Sequence, residues 1–133
     1  MLLDTGPLVA YLTARDQHHE WAVAQFSALA EPVLTCEPVW TEAAFVLSRR
    51  GLSSEMLWTV RRREVVKFAF HLDADYVSIA SLMHRYADAP MSLADACLVR
   101  MSELHRDCHV LTLDQQFKHY RRFGRQVVPL ITP

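Results

Sequence analysis

Short apolar segments alternate with longer helix-like segments along most of the chain, and this alternation restricts the fold more than any other feature. The apolar runs at 1–4, 33–36 and 109–113 have the length of buried strands. Helical spacing of apolar residues fills much of the chain between them. Buried strands joined through helices form parallel sheets that helices cover on both faces. We therefore predict an α/β fold, a three-layer α/β/α sandwich around a mainly parallel sheet of four or five strands.

The predicted elements cover nearly the whole chain. The predicted helices are 8–14, 18–30, 38–50, 53–66, 75–87, 92–106 and 115–122, and the predicted strands are 1–4, 33–36, 67–72, 109–113 and 126–130. Only three glycines are present, so loops should be short, and no linker or repeat divides the chain. A length of 133 residues suits one compact domain. We expect a single domain over residues 1–133.

Composition disfavours several classes of protein. With 51% hydrophobic residues, the chain can bury a full core, which a disordered chain cannot. No apolar run is long enough to span a membrane, and the N-terminus lacks the pattern of a secretory signal, so we expect a cytoplasmic protein without membrane contact. Three cysteines without a CxxC pair disfavour a disulfide framework or a zinc site. The net charge of -1 limits any nucleic-acid contact to local basic patches.

Two acidic residues directly follow predicted strands. Asp4 comes directly after the apolar residues Met1 to Leu3 of the first strand, and Asp114 comes directly after the strand 109–113. Parallel sheets place their binding sites beyond the carboxyl ends of the strands, so we expect both side chains at one edge of the sheet. Each residue also has a simpler interpretation. Asp4 is compatible with a turn, and Asp114 with a cap of the helix that follows.

Two further acids lie inside predicted helices, on faces that also carry apolar residues. Glu42 shares its face with Val39 and Val46, and Asp95 shares its face with Leu98 and Val99, at the spacing of neighbours on a helix. A carboxylate facing the core is costly unless something pairs with it. The alternatives are a capping box from Ser92 to Asp95, and for Glu42 a favourable position near a helix N-terminus.

The four acids together indicate a metal site. If Asp4, Glu42, Asp95 and Asp114 converge, they form an oxygen-rich pocket of the kind that Mg²⁺ or Mn²⁺ prefers. Such ions activate water and stabilise charge on a phosphodiester during its hydrolysis. No lysine or histidine stands beside these acids in the sequence, so the metal would be the main source of positive charge.

Four segments of the chain, in order and over nearly its whole length, resemble the PIN-domain nucleases and especially the VapC-type toxin ribonucleases. They are 3–8, 38–43, 86–96 and 110–117. The resemblance implies a PIN fold, dependence on Mg²⁺ or Mn²⁺, and cleavage of single-stranded RNA by an endoribonuclease. For VapC-type members it also implies a homodimer that an antitoxin protein neutralises.

The resemblance also assigns roles to individual residues. Asp4, Glu42, Asp95 and Asp114 carry over as the catalytic, metal-binding acids. Thr5 and Thr112 match neighbouring hydroxyl positions, and we expect them to contact the acids or the scissile phosphate. The alternative is that both hydroxyls satisfy nearby backbone groups.

Some features of the sequence leave the substrate and the activity open. Arg49 and Arg50 lie two turns beyond Glu42 and are candidates for contacts to RNA phosphates. Asp88 lies seven residues before Asp95 across a proline, and its surroundings favour a surface turn. PIN domains also occur outside toxins, so the alternative function is RNA processing, or binding of RNA or a partner protein without cleavage.

Overall fold

A five-stranded parallel sheet forms the centre of the protein in a computed structural model that describes all residues from Met1 to Pro133. The strands of the protein are β1 (Leu2–Leu3), β2 (Val33–Thr35), β3 (Val66–Phe68), β4 (Val110–Leu111), β5 (Arg121–Arg122), β6 (Gln126–Val127) and β7 (Leu130–Ile131). The main sheet has the order β3-β2-β1-β4-β7, and each neighbouring pair is parallel. The mainly parallel sheet expected from the sequence is confirmed. β5 and β6 form a separate antiparallel hairpin.

Helices cover both faces of the main sheet. They are α1 (Thr5–Leu12), α2 (His19–Ser27), α3 (Glu37–Arg49), α4 (Glu55–Arg62), α5 (Leu72–Arg85) and α6 (Leu93–Leu104), with a short 3-10 helix at Gln115–Lys118. One core contains residues of α1 to α4, and the other contains residues of α5, α6 and the C-terminal segment. The predicted three-layer α/β/α sandwich is confirmed. No helix combines the length and the apolar character that crossing a membrane would require.

The alternation of side chains along the short strands divides the core into these two parts. Leu2 and Val110 belong to the core beneath α5 and α6, whereas Leu3 and Leu111 belong to the core beneath α1 to α4. Successive side chains of a strand point to opposite faces, which explains why neighbouring residues belong to different cores. All four are fully buried, because helices cover both faces of the sheet. Burial of each leucine contributes roughly 2 kcal/mol, so even strands of two residues are firmly held.

The order of the strands creates a crevice next to β1. The chain runs from β1 outward to β2 and β3, and then returns to place β4 on the other side of β1. In parallel sheets, a crevice opens at the carboxyl ends of the two strands where this reversal occurs. Backbone bonds extend the pairing there, since the Asp4 amide donates to the Leu111 carbonyl at 3.1 Å. The ends of β1 and β4 therefore lie side by side.

The structure corrects the predicted elements around β3. The predicted helix 53–66 is wrong at its end, because α4 stops at Arg62 and Glu64 takes a positive φ of 57°. The predicted strand 67–72 is shifted and too long, since β3 begins at Val66, where Val66 pairs with Val33. Pairing with β2 fixes this register, and local composition does not record it. Leu72 accordingly begins α5.

The structure also corrects the last part of the chain. The predicted helix 115–122 ends at Lys118, and the predicted strand 126–130 is divided between β6 and β7. Phe123 and Gly124 have positive φ angles of 50° and 78°. The connection from β5 to β6 is three residues long, from Phe123 to Arg125, and its first two residues adopt left-handed conformations. It contains no Asn-Gly or Asp-Gly pair, the strongest local signal of a hairpin.

Candidate metal and active site

The crevice between β1 and β4 is lined by all four acids selected from the sequence. Asp4 directly follows β1, Asp114 lies beyond β4, Glu42 lies on the second turn of α3, and Asp95 lies on the first turn of α6. They line one cavity of about 440 Å³, completed by Thr5, Gly6, Pro90, Ser92 and Leu113. No lysine, arginine or histidine lines this cavity. The cavity is therefore strongly acidic.

Asp4 is buried and held by two hydrogen bonds. It is 6% exposed, its Oδ1 accepts from the Thr5 amide at 2.7 Å, and its Oδ2 accepts from the Thr112 hydroxyl at 2.6 Å. Burial raises the pKa of Asp4 to about 7, and the charges of Asp95 and Glu42 act in the same direction. These two hydrogen bonds favour the charged form and only partly offset the cost of burial.

Asp95 caps α6 and lines the cavity at the same time. The capping box is present: its Oδ2 accepts from the Ser92 amide at 2.9 Å, and its own amide donates to the Ser92 hydroxyl at 3.1 Å. The hydroxyl of Tyr120 also donates to Oδ2, at 3.3 Å. Burial raises the pKa of Asp95, as do the charges of Asp114 and Glu42. Capping and placement in the acidic cavity are thus not exclusive alternatives.

Thr112 connects Asp114 to Asp4, and Thr5 connects Glu42 to Asp4. The Asp114 side chain caps the short 3-10 helix by accepting from the Gln116 amide at 2.8 Å, and its own amide donates to the Thr112 hydroxyl at 2.9 Å. Glu42 Oε2 accepts from the Thr5 hydroxyl at 3.0 Å. Thr112 therefore joins Asp4 to Asp114, and Thr5 contacts Glu42.

The chemistry of this cavity fits a hard divalent cation. All four acids supply oxygen, the donor that Mg²⁺ and Mn²⁺ prefer. One oxygen each of Asp95, Asp114 and Glu42 accepts no protein hydrogen bond. No three of the acidic, histidine or cysteine side chains are already close enough to hold an ion together.

A larger groove adjoins the acidic cavity and shares Thr5, Gly6 and Leu113 with it. The groove has a volume of about 1130 Å³ and runs between α1, the loop after it and the end of α3. Arg50 lines this groove, and its Nη1 donates to Asp16 Oδ2 at 2.7 Å. Arg49 is exposed on the last turn of α3 and lines neither the groove nor the cavity. Of the two candidate arginines, only Arg50 therefore lies in the groove beside the cavity.

Sequence reasoning did not identify two of the contacts around the site. Tyr120 lies 25 residues from Asp95, and the contact depends on the return of the C-terminal segment across α6. The ion pair of Asp16 with Arg50 joins positions 34 residues apart. No local motif marks either contact. Asp88 is exposed and does not line the cavity, in agreement with a surface turn.

These features define an α/β/α protein with an acidic crevice at the carboxyl edge of a parallel sheet. A family model of the PIN domain matches residues 1–122. The chain belongs to the PIN domain family.

Two proteins of Mycobacterium tuberculosis are similar to this chain. Ribonuclease VapC26, from strain ATCC 25618 / H37Rv, is 26% identical over 130 residues, which cover 93% of this chain and 94% of the relative. The crystal structure of VapC20, described as a toxin that cleaves the sarcin-ricin loop, has a TM-score of 0.76 and 20% sequence identity, covering 96% of this chain and 98% of the other. The structural likeness supports the fold, and the sequence likeness extends over nearly the whole chain.

Proposed function

We propose that this protein is a metal-dependent endoribonuclease that hydrolyses RNA phosphodiester bonds as the toxin of a toxin–antitoxin pair in the cytoplasm. One observation carries the nuclease proposal: Asp4, Glu42, Asp95 and Asp114 line one cavity that contains no basic side chain. Membership of the PIN domain family supports it. The toxin part rests on the relatives, of which one is named a ribonuclease and the other a toxin.

The proposed cofactor is Mg²⁺ or Mn²⁺, held by these four carboxylates. Such an ion, when bound, supplies Lewis acidity for water activation and for stabilising charge on the phosphodiester. The chain's own residues orient the carboxylates: Thr112 holds Asp4, and Thr5 holds Glu42. Both hydroxyls thereby limit the rotation of an acid, which a precise arrangement of metal ligands requires.

We assign the contact to RNA phosphates beside the cavity to Arg50. It is 42% exposed, and Asp16 holds its side chain in the groove that continues into the cavity. An arginine fixed in this way presents its remaining N–H groups to a phosphate. Arg49 is an equal candidate for this role in the sequence. In the structure it lines neither the groove nor the cavity, so it makes at most a peripheral contact.

Substitution of one acid tests the proposed activity. We expect Asp95→Asn to lower cleavage of single-stranded RNA by roughly 100-fold or more, because it removes a charged ligand of the ion. The fold should be retained, since the asparagine oxygen can still accept from the Ser92 amide. Asp88→Asn is the matched control, because Asp88 belongs to the same segment but lies outside the cavity. Cleavage is measured with Mg²⁺ or Mn²⁺ and with excess chelator.

Two results would contradict the catalytic assignment: full activity in chelator, or equal activity of Asp95→Asn and the unmodified protein. A protein that binds RNA but does not cleave it with either ion would favour the alternative, a PIN domain that acts by binding. In cells, the toxin proposal predicts growth arrest on expression that Asp4→Ala relieves. Cleavage in vitro without growth arrest would favour a role in RNA processing.

The proposed partners are an RNA substrate, an antitoxin protein and a second copy of the chain. Large apolar side chains are exposed on α5, where Tyr76 and Val77 are 62% and 66% exposed. Such residues are candidates for burial in a subunit interface. Sedimentation of the purified protein measures its mass, and a monomer at every concentration would contradict the homodimer.

A further inference from the structure

We infer that Tyr120 is a positioning residue of the metal site, whose buried hydroxyl fixes one oxygen of Asp95 so that the carboxylate presents its other oxygen to the ion. This inference rests on the proposed function, because it describes how one of the proposed metal ligands is oriented. Neither Thr5 nor Thr112 contacts Asp95, so Tyr120 orients an acid that the two threonines do not hold.

Tyr120 is rigidly held beside α6. Its side chain is fully buried. Its ring packs edge-on against Phe117 and Tyr86, with centroid distances of 5.5 Å and 5.2 Å. From this position the hydroxyl donates to Asp95 Oδ2 at 3.3 Å. A donor on a packed ring has little freedom to move, so it can determine the orientation of its acceptor.

The hydrogen bonds of Asp95 are unequally divided between its two oxygens. Oδ2 accepts from both the Ser92 amide and the Tyr120 hydroxyl, whereas Oδ1 accepts from no protein donor. Two donors on one oxygen restrict rotation about the bond to the carboxylate, since a turn of the group would break both. Oδ1 is therefore the oxygen that remains available to an ion in the cavity, and Asp95 would bind through that single atom.

The direction of the hydrogen bond follows from the two groups that form it. An ionised carboxylate only accepts, and the Tyr120 hydroxyl has a proton to donate. The contact with Asp95 Oδ2 therefore runs from the hydroxyl to the carboxylate.

Removal of the hydroxyl alone tests the inference. We expect Tyr120→Phe to weaken binding of Mn²⁺ by about 10-fold, the lower end of what the loss of a partner of a metal ligand causes. Tyr86→Phe is the matched control: it removes a hydroxyl from the same aromatic cluster, and that hydroxyl contacts the Arg121 amide at 3.0 Å instead of an acid. Free Mn²⁺ is measured by electron paramagnetic resonance during titration of the full-length proteins, and thermal unfolding of the metal-free proteins is measured separately.

The outcomes separate this inference from the proposed function. Weaker binding in Tyr120→Phe alone would support the role of Tyr120. Equal binding by Tyr120→Phe and the unmodified protein, or equal weakening in both variants, would overturn it while leaving the proposed nuclease in place. If the unmodified protein binds no Mn²⁺, the metal site fails and this inference fails with it.

One measurement needs no variant. The Tyr120 hydroxyl proton in the metal-free unmodified protein should exchange slowly with water by NMR. Fast exchange would contradict the buried hydrogen bond even if Tyr120→Phe did not fold.

Discussion

A carboxylate buried as deeply as Asp4 is stable in its charged form only where another group neutralises it. Asp4 has two hydrogen-bond donors but no basic partner in the cavity. Burial therefore raises its pKa to about 7. In the proposed function, a divalent ion replaces the proton that the folded chain otherwise retains on this residue. Binding of the ion near neutral pH should accordingly release protons.

The raised pKa of Asp4 predicts how the stability of the metal-free protein depends on pH. An unfolded aspartate releases its proton near pH 4, whereas folded Asp4 keeps its proton up to about pH 7. Between these values the folded state binds more protons, so its stability falls as the pH rises, by up to about 1.4 kcal/mol per pH unit. Below this window the contribution is fully favourable. Urea unfolding in chelator across this range measures the slope.

Asp4→Asn isolates this effect from all other titrating groups. The variant carries no charge at position 4, so the free-energy difference between it and the unmodified protein should change in favour of the variant as the pH rises from about 5 to about 7.5. Binding of metal should remove much of the pH dependence in the unmodified protein. A difference that stays constant over this range would show that Asp4 titrates normally in the folded state.

The sequence indicated where three of the acids lie, because their position relative to a strand or helix determines their location, whereas their role as metal ligands stays a prediction. Asp4 and Asp114 follow strands, and Asp95 lies at the start of a helix within a capping box, so local rules locate them. Tyr120 could not be found in this way. Its contact with Asp95 depends on the path of the chain after the 3-10 helix, which includes a hairpin that the sequence did not indicate.

At the scale of the helices, the end of α3 illustrates a sequence signal with a clear physical cause. Gly51 follows Arg50 with a φ of 71°, and the Leu52 amide donates to the Leu47 carbonyl at 2.9 Å. This geometry closes a helix when the residue after its end adopts a left-handed conformation, which glycine does at little cost.

Gly51→Ala should destabilise the protein by about 1 kcal/mol, through backbone strain alone. A Cβ at position 51 would meet no other atom within 4 Å, so steric conflict does not contribute. Gly51→Asn is the control, because asparagine tolerates the left-handed conformation better than alanine. Urea unfolding measures both. Equal stability of Gly51→Ala and the unmodified protein would mean that the turn adopts another conformation in solution.

The ends of α3 and α4 show why some boundaries are predictable and others are not. Gly51 is a residue that predicts the end of α3 from the sequence alone. The end of α4 has no such residue, because Glu64 adopts a positive φ of 57° after three arginines, which are good helix formers. The position of β3 is instead determined by its pairing with β2, over a separation of about 33 residues in the chain. A local pattern does not contain that information.

At the scale of the whole molecule, charge is distributed unevenly around the site. The cavity contains four acids, whereas the adjoining groove is lined by Arg15, Arg50 and His18 together with Asp16. With a net charge of -1, the protein has no general attraction for nucleic acid. The groove offers basic side chains directly beside the proposed metal site, and we expect the RNA strand to enter there.

A comparison of two neighbouring arginines tests this route. In the Asp95→Asn background, which should bind RNA without cutting it, Arg50→Gln should weaken binding several-fold and lower the salt dependence by about 0.7, the value for one lost phosphate contact on a single strand. Arg49→Gln removes the same charge outside the groove and should have little effect. Fluorescence anisotropy with a short single-stranded RNA at several salt concentrations measures both.

Replacing Arg50 leaves the negative charge of Asp16 without its ion-pair partner, so one further control is needed. Asp16→Asn combined with Arg50→Gln removes both members of the ion pair, and binding should remain weaker than with Arg50 present. If the Arg49 and Arg50 variants lose the same affinity, RNA does not follow the groove. If the double variant binds as well as the parent, repulsion by Asp16 explains the single variant.

The architecture could be predicted from the sequence because several independent segments indicated the same α/β arrangement. The strands 33–36 and 109–113 and the helices between them each fit a parallel sheet covered on two faces. The strand order β3-β2-β1-β4-β7 was not predicted, because apolar spacing and turn composition do not determine which strands pair with each other. That order places β1 beside β4, and thereby brings Asp4 to Asp114.

The central position of β1 has a consequence for the time at which the protein becomes active during translation. Asp4 leaves the ribosome well before Asp95, Thr112 and Asp114, and the bond from Thr112 to Asp4 spans 108 residues. A nascent chain cannot assemble the cavity before these segments emerge. A nuclease constructed in this way cannot cut the messenger from which it is being translated until the segment that carries Asp114 has left the ribosome.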